Sequence, residues 1–396
     1  MAHKTLVNGT AHEITGGLTL VEGTSYSVKN GKVLVNGTGY DISFLLPPAV
    51  LDLWSSDSVD NIINCIAYAN GYWVVGGQYK SGSTRYARIA YATSLSDTWT
   101  AKDLWSNNYS GNTIECIAYA NGYWVVGGNY SSSSTEYARI AYATSLSGTW
   151  TTKDLWSNTS GSHYIHSITN ANGYWVAGGI YYSQRNKAYI AYATSPNGTW
   201  TKKQVWDNGE IKSIVYANGS WVAAGMMGAP GVPYIAYATN LNDTWTGNSF
   251  ANFSSINCII YENGYWVVGG KYPSSDPYYA RIAYATSLSG TWTTKDLWSS
   301  DYGDNTIHSI TYANGYWVVG GKYCDGGARF ARIAYATSLS GTWTTKDLWN
   351  STSSYTTIQC TAYLNDYLLV GGRQYNNSTY YARVAYAANI DGFDDI

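Results

Sequence analysis

A block reading Asn-Gly-Tyr-Trp-Val-Val-Gly-Gly, or a close relative, occurs seven times in this chain of 396 residues. The copies begin at Asn70, Asn121, Asn172, Asn218, Asn263, Asn314 and Asn365. Their spacings are 51, 51, 46, 45, 51 and 51 residues. Units that recur at such a period stack on their neighbours, because no single unit buries its own apolar face.

Each unit reads as four short strands. In the second, strand A is Thr113–Tyr119, strand B Tyr123–Tyr130, strand C Tyr137–Ala143 and strand D Thr149–Trp156. Asn121-Gly122 between A and B is a strong hairpin signal. β-Branched and aromatic residues fill the strands, and no helical periodicity interrupts them. Four-stranded units repeated seven times predict an all-β fold, a seven-bladed β-propeller over residues 49–396.

The 18 tryptophans occupy three positions of the repeat. One lies on strand B (Trp73, Trp124, Trp175, Trp221, Trp266, Trp317). One opens strand D (Trp99, Trp150, Trp200, Trp245, Trp292, Trp343) and one closes it (Trp54, Trp105, Trp156, Trp206, Trp298, Trp349). Such regular placement assigns them to packing between blades, with none left over as a sugar-stacking platform. Four of the five cysteines (Cys65, Cys116, Cys258, Cys360) share a position with Ser167, Ser213 and Ser309, so it demands a small buried side chain. Cys324 is expected in a loop as the one reactive thiol. Unpaired thiols suit assembly in a reducing cytosol.

The ends of the array predict how it closes. The seventh repeat stops after strand C, and the missing strand D appears ahead of the first repeat as Val50-Leu51-Asp52-Leu53-Trp54. That segment, residues 50–54, is expected to complete the last blade and remove the free sheet edges. Residues 1–48 form a separate small segment. It carries a 14-residue repeat three times between residues 4 and 45, expected to give three hairpins, and Leu46-Pro47-Pro48 separates it from the propeller.

The loops divide by variability. The A–B and C–D turns barely change between repeats, whereas the D–A and B–C connections differ in every one. Alternate connections share a rim, so one rim is uniform and the other diversified. Binding residues concentrate on varied loops over a rigid scaffold. Tyr109, Tyr164, Tyr181, Tyr182, Tyr302, Tyr355 and Tyr375 are expected in those loops as ligand contacts. Strand A, the innermost, reads Ile-x-Cys/Ser in every blade, where x is Asn64, Glu115, His166, Lys212, Asn257, His308 and Gln359. This polar ring is expected to line the central channel, as a pocket floor or as a merely wet wall.

Function classes narrow accordingly. The net charge of −2 and the lack of a basic cluster argue against nucleic acid. No segment is long and apolar enough to insert in a membrane, and the first residues lack the apolar core of a secretion signal. The ring offers a single carboxylate, Glu115, where glycoside hydrolysis needs two; Asp57, Asp60, Asp207, Asp301 and Asp304 are loop carboxylates with no mark of a partner role. His166 and His308 sit three blades apart, too far to share a metal, so no catalytic residue, metal or cofactor is expected.

Two resemblances add to this. The Ser-x-Ser-Gly-Thr-Trp segments (Ser145–Trp150, Ser287–Trp292, Ser338–Trp343) resemble the Asp-box of sialidase-like propellers, a structural turn motif, with Ser at most of the aspartate positions and Asn197, Asn242 and Asp391 nearest to it. The sialidase arginine triad has no counterpart, since Arg88, Arg139, Arg281, Arg332 and Arg383 recur at one strand-C position as structural residues. The N-terminal Leu-Val-Asn-Gly-Thr-x-Tyr-x-Ile pattern resembles repeats in structural proteins of phages and prophages of Gram-positive bacteria. That resemblance implies a virion protein of the tail, baseplate or capsid surface, made in the host cytoplasm and attached to other virion proteins through residues 1–48. The leading expectation is a non-enzymatic module that contacts host-surface glycan or protein. The alternatives are a decoration subunit that binds only virion proteins and a glycan-degrading enzyme.

Overall fold

The structure is a computed structural model. It describes residues 48–396 except 59, 110, 160, 229–230, 273–275, 353–354, 389, 391 and 394–396, and residues 1–47 only through the backbone of six strands. The chain divides into two compact units, Met1–Pro47 and Pro48–Ile396. In the first, His3–Val7 pairs with Thr10–Ile14, and four further strands (Leu18–Val21, Thr24–Lys29, Lys32–Val35, Thr38–Asp41) form one antiparallel sheet. The second and third expected hairpins are thus joined, through Val28 opposite Val33. Leu46 and Pro47 lie outside the described residues, as does Asp391.

The second unit is a seven-bladed β-propeller of four-stranded antiparallel blades. In blade 2 the strands are Asn112–Ala120, Tyr123–Ser132, Thr135–Ala143 and Thr151–Asn158, one or two residues longer than the sequence suggests at most ends. The A–B turns take their hand from Asn70 at φ 51° and Gly71 at φ 76°, a pair of left-handed residues repeated around the ring. That backbone matches the twist of the strands it joins, and asparagine and glycine are the residues that adopt it. In blade 7 the same turn is made by Asn365 and Asp366.

Ring closure follows the sequence expectation. The strand Ala49–Ser56 pairs antiparallel with the last strand C, Thr379–Ala387, placing Trp54 opposite Ala382. Arg383 grips Asp52 in a two-pronged ion pair, Nε–Oδ1 2.6 Å and Nη2–Oδ2 2.7 Å, across 331 residues of sequence. The same fork joins Arg88 to Asp103, Arg139 to Asp154, Arg281 to Asp296 and Arg332 to Asp347. The recurrent arginines are therefore tied within the blades.

The glycine pair explains how tightly the blades meet. A Cβ on Gly76 would stand 2.7 Å from Cγ2 of Ile114 in the next blade and 2.8 Å from Sγ of Cys65. A Cβ on Gly77 would run into the carbonyl of Ile62 on strand A. The invariant isoleucine of one blade thus lies on the first glycine of its neighbour in six of the seven seams, with Ala224 at that position in blade 4, and the Cys/Ser position must stay small. At the closing seam, Ile63 lies on Gly371 in the same way.

Two sequence expectations change here. The strand-B and strand-D-closing tryptophans are buried, but Trp99, Trp150, Trp200, Trp245, Trp292 and Trp343 are only half-buried. They precede strand D, and Trp150, Trp200, Trp245 and Trp343 fold back to donate to a carbonyl of their own C–D turn. Cys324 is not in a loop, and its surroundings disfavour the thiolate that reactivity needs. It ends strand B of blade 6 (Tyr316–Asp325), is fully buried, and burial pushes its thiol up.

Candidate functional site: the central channel and its mouth

Strand A surrounds the axis, and every blade carries a β-bulge on it. The register steps from Ile63 to Cys65, skipping Asn64, and likewise skips Glu115, His166, Lys212, Asn257, His308 and Gln359. A bulge leaves its extra residue unpaired and re-aims its side chain. All seven of these side chains line one channel cavity of about 450 Å³.

They are not equivalent. Asn64 donates to Thr113 Oγ1 (3.1 Å) and the Ile114 carbonyl (2.9 Å), bracing the next blade. Asn257 does the same to Thr306 and Ile307. These two amides have a structural task. His166 and Lys212 belong to a charged cluster whose third member is Glu210, on strand A of blade 4 (Gly209–Ala217). Glu210 Oε2 lies 3.0 Å from Lys212 Nζ and 3.5 Å from His166 Nε2. Burial alone would raise its carboxyl pKa, but His166 and Lys212 outweigh that and hold it down to about 2. The signal available in the sequence was the spacing of two, which puts Glu210 and Lys212 on one face of a strand. Tyr164 stacks on His166, ring centroids 5.4 Å apart and planes within 4°. On the far side, burial and the charge of Lys322 push His308 down to about 3, so its ring is neutral.

Three of the five carboxylates expected in loops are engaged, and Asp207 ends a strand, Thr201–Asp207. Asp304 holds Lys271 (2.8 Å) and Lys322 (2.9 Å), and Asp60 holds Arg85 (2.8 Å). Asp207 pairs more loosely with Arg185 at 3.4 Å. Among the described residues no group of three or more His, Cys, Asp or Glu side chains stands together as a metal site.

The seven tyrosines separate into two sets. Tyr109, Tyr302 and Tyr355 stand in D–A loops of the diversified rim, 49%, 58% and 50% exposed. The other four lie on strands, which corrects their assignment to loops. Tyr164 begins strand A of blade 3, Tyr181 and Tyr182 end its strand B (Tyr174–Ser183), and Tyr375 is on strand B of blade 7 (Tyr367–Asn376). Strand B outlasts its expected end, so these rings pack on neighbours: Tyr181 on Tyr189 and His163, Tyr375 on Tyr380. Tyr182 lies against Gly161.

No protein-family model and no curated protein matches the chain. Solved structures similar to it include the computationally designed protein Ika8, at 12% identity and a TM-score of 0.41 over 85% of this chain and 99% of that one. Two crystal structures of Sqt1 from Chaetomium thermophilum are also similar. One has 10% identity and a TM-score of 0.49 over 82% of this chain and 84% of that one; the other has 11% and 0.45 over 80% and 81%.

Proposed function

We propose that this chain is a non-enzymatic binding module of a virion that contacts a host-surface glycan or protein through its diversified rim. The observation that carries the reading is the exposure of Tyr109, Tyr302 and Tyr355 on that rim, which also holds the polar ring near the channel mouth. An exposed tyrosine offers a rigid ring and a hydroxyl at little entropic cost, the combination that recognition surfaces favour. The virion assignment is supported by the N-terminal repeats alone. The ionised Glu210, clamped by a lysine and a histidine, has the character of a structural ion pair and not of a general acid.

The test is binding of the labelled protein to a glycan array and to walls of Gram-positive cells. Binding is expected, and Tyr302→Ala combined with Tyr355→Ala is expected to weaken it at least tenfold. Failure of the unaltered protein to bind array or walls overturns the reading in favour of a decoration subunit.

A further inference from the structure

One blade interface departs from the other six. At six interfaces the tryptophan closing strand D donates its indole N–H to the next blade, just after the glycine pair or, in blade 4, after Ala224-Gly225: Trp54 to Gln78, Trp105 to Asn129, Trp156 to Ile180, Trp206 to Met226, Trp298 to Lys322 and Trp349 to Arg373. In blade 4, Tyr234 faces Ser249 where blade 5 has Arg281 facing Asp296. Two residues beyond that aspartate stands Trp298; two beyond Ser249 stands Ala251. The Lys271 carbonyl, left without an indole, takes the backbone N–H of Ser254 at 2.7 Å. Phe253 is buried in the seam and refills part of the space.

What remains is a cleft of about 690 Å³ on the diversified rim, bounded by Ala251, Met226, Phe253, Tyr272, Tyr278 and Ser255. It shares Asn257 with the central channel. Its size lies in the usual range of ligand sites, roughly 300–1,000 Å³.

We propose that this cleft is a subsite for one neutral sugar ring of a surface glycan, an inference that rests on the binding-module reading above. A sugar ring has an apolar face and a polar edge. The cleft offers Met226, backed by the buried Phe253, for the first, and the hydroxyl-bearing residues Tyr272, Tyr278 and Ser255 in its lining for the second. Arg281 lies over the Tyr272 ring at 4.1 Å and donates to the Asn252 carbonyl at 2.8 Å, so that wall is held in place without a ligand. Lys271 is committed to Asp304, which matches the cleft to hydroxyls in preference to an anion.

Saturation-transfer NMR with the methyl glycosides of glucose, galactose and N-acetylglucosamine tests this on the full chain. Transfer to at least one of them is expected. Ala251→Trp installs the residue of the other six interfaces and is expected to weaken binding at least tenfold. Tyr278→Ala is expected to do the same without adding bulk, and it decides the matter if the tryptophan variant loses its single melting transition. A signal that survives in Tyr278→Ala and in a folded Ala251→Trp overturns the cleft while leaving the binding-module reading intact. Absence of transfer to the unaltered protein also overturns the cleft, and array or cell-wall binding then decides the module reading separately.

Discussion

At the scale of single residues, the repeat motif is a record of close contacts. Gly76→Ala forces a methyl between Ile114 and Cys65. Overpacking of that kind costs roughly 1–3 kcal/mol, and urea denaturation is expected to show it as a lower midpoint at unchanged slope. The titratable residues of the channel set a pH dependence. His308 has its pKa lowered from 6.5 to about 3, so as pH falls below 6.5 the unfolded chain gains a proton that the folded one does not. Stability therefore declines as pH drops from 6.5 toward 3. Glu210, depressed from 4.5 to about 2, adds its own loss below 4.5. The interval between 6.5 and 4.5 belongs to His308 of these two, and melting temperatures of His308→Gln are expected to be flatter across it. An unchanged profile would refute the assignment.

At the scale of strands, neighbouring blades are tied at both rims. On one side the strand-D indoles reach the next blade. On the other, strand-D lysines reach its C–D turn: Lys102 to Ser147, Lys153 to Asn197, Lys203 to Asp243, Lys295 to Ser340, with Lys346 meeting Phe393 near the C-terminus. The closing strand carries Leu51 in that register, opposite Val384 as Lys346 is in blade 7's neighbour opposite Ile333. The seam thus has the indole and the arginine fork but not the lysine. Leu51→Lys is expected to raise stability by a few tenths of a kcal/mol, up to about 1, as partly exposed polar ties do. Asp52→Ala is expected to cost up to about 1 kcal/mol on the same grounds, and Trp54→Ala about 3–5 kcal/mol as a buried aromatic. Thermal melting of the three variants would check the order.

At the scale of the whole molecule, closure joins chain ends that are 331 residues apart at Arg383 and Asp52. Removing residues 1–56 leaves Thr379–Ala387 as an open edge strand, a template for pairing with other chains. The shortened protein is expected to melt earlier and to associate in size-exclusion chromatography; a monomer of unchanged stability would contradict the closure model. A ring of near-identical units also makes any irregular unit conspicuous. Blade 4 has Ala251 at the tryptophan position, Ser249 at the aspartate position and a strand D of only four residues, Thr246–Ser249.

The polar ring returns to view at every scale. Asn64 through Gln359 were legible as a repeated position, because seven copies in one chain show which residues vary. The blade count, the closing strand, the glycine pair and the small Cys/Ser position were legible for the same reason: identical packing imposes identical residues. What only the tertiary structure decided is what each copy does where the copies differ. It turned Asn64 and Asn257 into braces for the next blade and joined Glu210 to His166 and Lys212. It also packed Tyr181, Tyr182 and Tyr375 onto neighbours and buried Cys324 at a strand end. The physical reason is that repetition encodes the contacts every blade makes with its neighbours. Charge pairing and the cleft at Ala251 depend on which particular side chains adjacent blades bring face to face.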